Sequence, residues 1–249
     1  MKTIGVIPAR WGSKRFEGKV LADLCGKPII QHVWENAKKA KTLDDLVVAA
    51  DNENIIKVVE SFGGKAIFTS PDQPSGTDRL AEVINPLDVK IAVNIQGDEP
   101  LIRAIMIDSL VMTLSGEKAA QMATIIKKIE DRSEITNPSV VKVVIDKNGY
   151  ALYFSRCPIP YDRAGQEGEG NFPTYYKHIG IYAFTKDFLF TFRNLPHSSL
   201  EGAEKLEQLR VLEFGHRIKT VETKFDTVGI DTPEDLEKVR AIMEKGEDR

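Results

Sequence analysis

Four cations and two glycines crowd one short stretch of the chain, Pro8-Ala9-Arg10-Trp11-Gly12-Ser13-Lys14-Arg15-Phe16-Glu17-Gly18-Lys19. Glycine lets backbone N–H groups approach an anion closely, and Arg and Lys neutralise it. The combination suits a polyphosphate, set against the plainer reading of a solvated basic loop. It is not a dinucleotide fingerprint, because no Gly-x-Gly-x-x-Gly follows the opening apolar run. It is not a P-loop either: five residues separate Gly12 from Gly18, and Val20 rather than Ser or Thr follows Lys19. A metal held near this loop must therefore find its ligands elsewhere. Two acidic positions offer them. Gln96-Gly97-Asp98-Glu99-Pro100 follows the apolar run Ile91 to Ile95, and Asp231 sits in Gly229-Ile230-Asp231-Thr232-Pro233. A carboxylate just beyond a strand suits a hard magnesium ion. The competing readings are an ordinary turn at Gly97 to Pro100 and helix-capping assistance from Asp231. A third segment, Gln73-Pro74-Ser75-Gly76-Thr77-Asp78-Arg79, could hold a base or ribose edge, or serve only as a helix N-cap.

The elements that position these residues alternate through the first half. Short β-branched runs at Thr3 to Ile7, Leu46 to Ala50, Ala66 to Thr69 and Ile91 to Ile95 are separated by helical patterns at Pro28 to Lys39, Asn54 to Phe62 and Thr77 to Ile84. Such alternation predicts an α/β fold with a mostly parallel sheet and helices on both faces. Ligands then sit beyond the carboxyl ends of the strands, where the loop and Asp98 fall. The second half is less regular. It reads as strands at Val140 to Ile145, Tyr150 to Arg156 and Lys177 to Phe184, and one helix at Gly202 to Phe214. The Gly-rich, charged stretch Arg163 to Asn171 reads as a mobile loop or partly disordered insert. Thr232 caps a last helix with Pro233 in its first turn. The whole chain, 1–249, is expected to be a single domain carrying a smaller lobe at about 130–225.

Composition sets bounds on function. The chain has 249 residues, 42% apolar and 29% charged, with a formal charge of -3. That is enough for a real core, and it carries no basic face for nucleic acid. Two cysteines, Cys25 and Cys157, cannot form a metal cage and read as reduced bystanders. The apolar N-terminal run is too short for a signal peptide, and no stretch reaches the length of a membrane span. A soluble cytoplasmic protein is expected.

The sequence resembles the 3-deoxy-manno-octulosonate cytidylyltransferase (CMP-Kdo synthetase) family in eight ordered pieces. These are Ile7 to Arg10 with Gly18-Lys19, Gly26 to Pro28, Ser75 to Glu82, Asn94 to Pro100, Tyr150 to Arg156, His178 to Tyr182, Leu206 to Leu212 and Gly229 to Leu236. The resemblance implies a homodimer with a Rossmann-like nucleotidyltransferase fold and a smaller sugar-binding and dimerisation lobe. It implies that CTP is bound by Pro8, Ala9, Arg10, Ser13, Arg15, Lys19 and Asp98, and by Gln73, Ser75, Gly76 and Arg79 on the base and ribose side. It further implies Mg2+ on Asp98 and Asp231, and Kdo on Gln96, Arg156, His178, Tyr182, Glu207 and Gln208. Where the family pattern has Leu-Pro before Gly18-Lys19, this chain has Phe16-Glu17, which removes a stiffening proline and adds a negative charge.

The chemistry so implied is in-line attack of the Kdo anomeric hydroxyl on the α-phosphorus of CTP, with pyrophosphate leaving and CMP-Kdo formed for lipopolysaccharide synthesis. Asp98 and Asp231 act through the metal, and Lys19 and Arg15 meet the charge that develops on the leaving group. Two rivals stand beside it: a cytidylyltransferase for another acidic sugar such as sialic acid, and a non-catalytic nucleotide-binding regulator. The regulator would not need Asp98 and Asp231 together.

Overall fold

The structure, a computed structural model, describes residues 2–12, 16–163 and 173–246. Its strands are β1 (Thr3–Ala9), β2 (Asp23–Leu24), β3 (Lys27–Pro28), β4 (Asp45–Ala50), β5 (Ala66–Phe68), β6 (Ile91–Asn94), β7 (Met122–Lys128), β8 (Lys142–Ile145), β9 (Ala151–Ser155), β10 (Tyr176–Thr185) and β11 (Lys219–Thr223). Its helices are α1 (Ile29–Ala37), α2 (Glu53–Ser61), α3 (Gly76–Ile84), α4 (Ala104–Gly116), α5 (Ser133–Thr136), α6 (Lys186–Asn194), α7 (Ser199–Glu204), α8 (Gln208–Glu213) and α9 (Pro233–Lys245).

The main sheet runs β11-β7-β10-β6-β1-β4-β5, with β8 paired to β10 and β9 to β8. Along that path the pairings are parallel except where β10 meets β6 and β7, which it does antiparallel. The expected α/β architecture is therefore present. Strands β8 and β9, from the span expected to form a smaller lobe, extend the same sheet.

Burial follows from the strand period of two. Ile7 and Ala9 of β1 face a core built with Val33, Trp34, Val59 and Leu110, from α1, α2 and α4. Ile4 and Val6 face the other core, with Leu80, Phe188, Phe192 and Leu209, from α3, α6 and α8. A third, smaller cluster joins Leu24, Ile29, Leu101 and Ile230 to Leu236 and Val239 of α9, with Phe16 packed against it. Thr232 starts α9 with a capping box to Asp235, and Pro233 occupies the first turn.

One expectation for the second half fails. Gly202 to Phe214 is not a single helix, because Lys205 adopts a left-handed conformation (φ 54) that ends α7 before α8 begins. The stretch contains no Gly or Pro at the break, so its apolar pattern gave no stop signal. The sequence reading also passed over α4, β7, α6 and β11. Of the Arg163 to Asn171 insert, only Arg163 lies within the described residues. Both cysteines are free and exposed. Among the described residues, no helix is long and apolar enough to cross a membrane.

The turn after β6 lies against the end of β1. A Cβ built on Gly97 would stand 2.6 Å from the Pro8 carbonyl oxygen, a main-chain atom that cannot swing aside. Gly97→Ala is expected to cost about 1–3 kcal/mol through overpacking. Equilibrium denaturation with an unchanged m-value would show it.

Candidate active site

The segments flagged in the sequence meet at the carboxyl ends of β1 and β6. A cavity of about 330 Å3 there is lined by Pro8, Arg10, Lys19, Ser75, Gln96 and Asp98, together with Gly12, Val20, Pro74, Gly76 and Gly97. Arg10 is held across it by donating from Nη2 to the Gln73 carbonyl at 3.0 Å, while the Gln73 amide donates to Glu82. Ser75 caps α3 by accepting from the Asp78 N–H, so the helix begins with its free N–H groups at the cavity wall. Ser13 and Arg15 lie outside the described residues. Ala9 is buried at the end of β1, where it pairs with Ala50.

Lys19 is the meeting point of three distant segments. Its ammonium lies 2.5 Å from Asp98 Oδ2 and 2.9 Å from Asp231 Oδ1. Burial alone would lower its pKa, but the two carboxylates outweigh burial and hold it above the usual lysine value. Asp231 is delivered by a main-chain bond, since Ile230 N–H donates to the Asp98 carbonyl at 2.9 Å. Both acidic side chains thus converge on one point. Among the described residues no group of three or more His, Cys, Asp or Glu is arranged to hold a metal ion by itself. A pair is nonetheless what magnesium commonly takes from a protein, with phosphates and water completing its shell, so Asp98 and Asp231 fit that ion.

Two expectations for this side need adjustment. Arg79 is not among the residues lining the cavity: its side chain is wholly buried, donating to Thr69 Oγ1 and, at 3.3 Å, to Asp51 Oδ2. It acts at one remove, because Asp51 accepts from the Trp11 N–H, and the Trp11 carbonyl in turn accepts from Gly18 N–H at the base of the loop. Glu17 does not stand free in the loop, since its carboxylate accepts from the Trp11 indole at 3.2 Å. Phe16 takes its place in the third core cluster.

The residues implied for the sugar lie on β10, α8 and the β6 turn. The β10 ladder shifts register between Ile179 and Tyr182, and this bulge brings the rings of His178 and Tyr182 together, with centroids 5.3 Å apart. His178 Nε2 shares a hydrogen bond with Thr124 Oγ1, and enclosure by Phe154 and Tyr182 pushes its pKa down to about 3. Part of each residue remains within reach of solvent. Burial, then Glu207 and Glu99, push the Tyr182 hydroxyl well up. Gln96 donates its amide to the Gly180 carbonyl in the bulge. Glu207 accepts from Thr77 Oγ1 at 2.8 Å and Arg210 at 3.1 Å, while burial raises its pKa. Gln208 is buried, with its amide nitrogen unpartnered. Glu207 also lines a second cavity of about 740 Å3, which shares Pro74 and Ser75 with the first.

Arg156 departs from expectation. It lines neither cavity, and its guanidinium donates from Nε to the Glu204 carbonyl and from Nη1 to the Pro138 carbonyl. Two of its five N–H donors are thus engaged by main-chain carbonyls, which fixes the plane of the guanidinium.

Three supporting residues escaped the sequence reading. Thr77 and Arg210 fix Glu207, and both lay inside quoted motifs without an assigned task. Glu99 is the third: burial and then Asp98 raise its pKa to about 7, and its Oε2 has no partner. Its place beside Asp98 was the available signal.

Comparison with known proteins agrees with this geometry. The cytidylyltransferase family profile matches residues 4–218. A 3-deoxy-manno-octulosonate cytidylyltransferase of Thermodesulfovibrio yellowstonii is 53% identical, over 95% of this chain and 96% of the relative. One of Solibacter usitatus is 49% identical, over 97% of this chain and 94% of the relative. A solved structure of CMP:2-keto-3-deoxy-manno-octonic acid synthetase complexed with CTP superposes with a TM-score of 0.92 at 44% identity, covering 99% of this chain and 100% of that one. With its cation-lined crevice and its carboxylates paired on Lys19, the chain belongs to the 3-deoxy-manno-octulosonate cytidylyltransferase family.

Proposed function

We propose that this enzyme transfers CMP from CTP to the anomeric hydroxyl of 3-deoxy-D-manno-octulosonate, releasing pyrophosphate and making CMP-Kdo for lipopolysaccharide synthesis. The observation that carries the reading is the convergence of Lys19, Asp98 and Asp231 beside the cavity lined by Arg10, Ser75 and Gly76. Arg10 binds the phosphates through its guanidinium, and Ser75 and Gly76 at the start of α3 present N–H donors to the base and ribose edge across the same cavity. Asp98 and Asp231 hold Mg2+, which when bound neutralises triphosphate charge and lowers the pKa of the attacking hydroxyl. Lys19 and Arg15 stabilise the charge that grows on the leaving pyrophosphate. No protein general base is required.

On the sugar side, Gln96, His178, Tyr182, Glu207 and Gln208 form the Kdo pocket, with Arg156 reading the carboxylate through the N–H donors that the carbonyls leave available. Neutral His178 and protonated Tyr182 present hydrogen-bonding groups without charge, which suits a polyol. Assembly as a homodimer and a cytoplasmic setting belong to the same reading; the exposed Leu152 and Phe214 leave apolar surface for a second copy.

Pyrophosphate release from CTP with magnesium tests the function. It is expected only when Kdo is present, and release with sialic acid instead would overturn the sugar assignment. Asp98→Ala is expected to lower turnover by roughly two to four orders of magnitude in a folded protein, as measured by the same assay. His178 supplies a pH test. Its folded pKa of about 3 lies below the unfolded value near 6.5, so below that pH the unfolded chain binds a proton that the folded one refuses. Wild-type stability relative to His178→Gln is therefore expected to fall with decreasing pH, by up to about 1.4 kcal/mol per unit between pH 6 and 4. Denaturant melts across that range would measure it.

A further inference from the structure

Lys19 lines the cavity, but its ammonium is engaged at the edge of it by Asp98 and Asp231 at 2.5 and 2.9 Å, and its side chain is only 12% exposed. Those carboxylates are the proposed metal ligands. The ammonium thus fills the space that a divalent ion needs in order to touch both, and two cations cannot share it. The backbone does not have to move for the ammonium to leave. Lys19 opens a short 3-10 turn fixed by Gly18 in a left-handed conformation and by the Gly18 N–H to Trp11 carbonyl bond. Its four-carbon stem can swing from the carboxylates to an anion in the adjoining cavity, which Lys19 also lines.

We propose that Lys19 is the resident counter-cation of the Asp98–Asp231 pair and keeps divalent metal out until a bound nucleotide draws the ammonium onto its phosphates. The inference rests on Asp98 and Asp231 being the metal ligands. Without nucleotide, a free metal ion competes against an ammonium already in place and binds weakly. With nucleotide, the phosphates give Lys19 another acceptor and the carboxylates become available. Metal and nucleotide then strengthen one another beyond their direct contact, and linkage makes the effect reciprocal. The arrangement also spares the apo enzyme two facing, uncompensated carboxylates.

Mn2+ is the probe, with binding to the full-length protein followed by electron paramagnetic resonance and by thermal melts in the absence of nucleotide. Wild type is expected to bind Mn2+ weakly and to gain little in Tm. Lys19→Met and Lys19→Gln are each expected to bind at least tenfold more tightly and to be stabilised by the ion. Asp98→Asn placed in the Lys19→Met background is expected to abolish that gain. With CTP added and its own metal binding in solution subtracted, wild type is expected to approach the affinity of Lys19→Met. If neither Lys19 variant tightens Mn2+ binding while Asp98→Asn still weakens it, the counter-cation role is overturned and the metal ligands stand. Should Asp98→Asn change nothing in either background, the metal assignment itself falls and the inference with it.

Discussion

Two carboxylates drawn to one point repel each other, and the site is organised around answering that repulsion. A pair of like charges about 4 Å apart costs about 1 kcal/mol in water and about 4 kcal/mol where the effective dielectric falls to 20. Asp98 and Asp231 are held close by groups that have no charge of their own: the Ile230 to Asp98 main-chain bond, Gly97 against the Pro8 carbonyl, and the third core cluster that docks α9. A cation must stand between them, and Lys19 reaches them from 79 and 212 residues away along the chain. The loop, the β6 turn and the start of α9 are thereby tied into one unit.

The two halves of the crevice differ in their electrostatics. On one side, Arg10, Lys19 and the start of α3 face an open cavity with charge and dipole aligned toward an anion. On the other, enclosure acts on the titratable groups of His178, Tyr182, Glu207 and Glu99, and in each it favours the neutral form. The proposed division follows from this contrast: charge for a polyphosphate, and hydrogen bonds from groups that carry little of it for a hydroxyl-rich sugar. Thr77 links the halves, because it lies on the helix whose first residues wall the nucleotide cavity while its hydroxyl holds Glu207.

Support for these side chains comes from a run of polar contacts that leads from a buried arginine out to the loop. Arg79 reaches Asp51, Asp51 holds the Trp11 amide, and Trp11 holds both Gly18 and Glu17. The substitution of Phe16-Glu17 for the family's Leu-Pro is absorbed in this way. Phe16 packs into a core cluster and the Glu17 carboxylate finds the indole N–H, so the added charge has a local partner.

The main-sheet strands and the helices from β1 to β6 were legible in the sequence because each carries its own period and each ends in a turn or cap that local residues define. Loop, Asp98 and Asp231 were legible for the same reason: each adjoins a recognisable element, the first two after a strand and Asp231 before the cap of the last helix. The break at Lys205 was not, since a left-handed Lys is imposed by how α7 and α8 pack and leaves no Gly to mark it. Nor was the state of Arg156, whose fork is captured by carbonyls from α7 and the segment before β8. The ammonium of Lys19 between two carboxylates is the clearest case. Sequence placed a cation in a phosphate loop, one acid beyond a strand and another before a helix, but which of them touch depends on how β1, β6 and α9 are packed. Local pattern determined the elements and the residue types at their ends; only the tertiary structure decided which charges share a point, because that distance is set by packing between segments far apart in the chain.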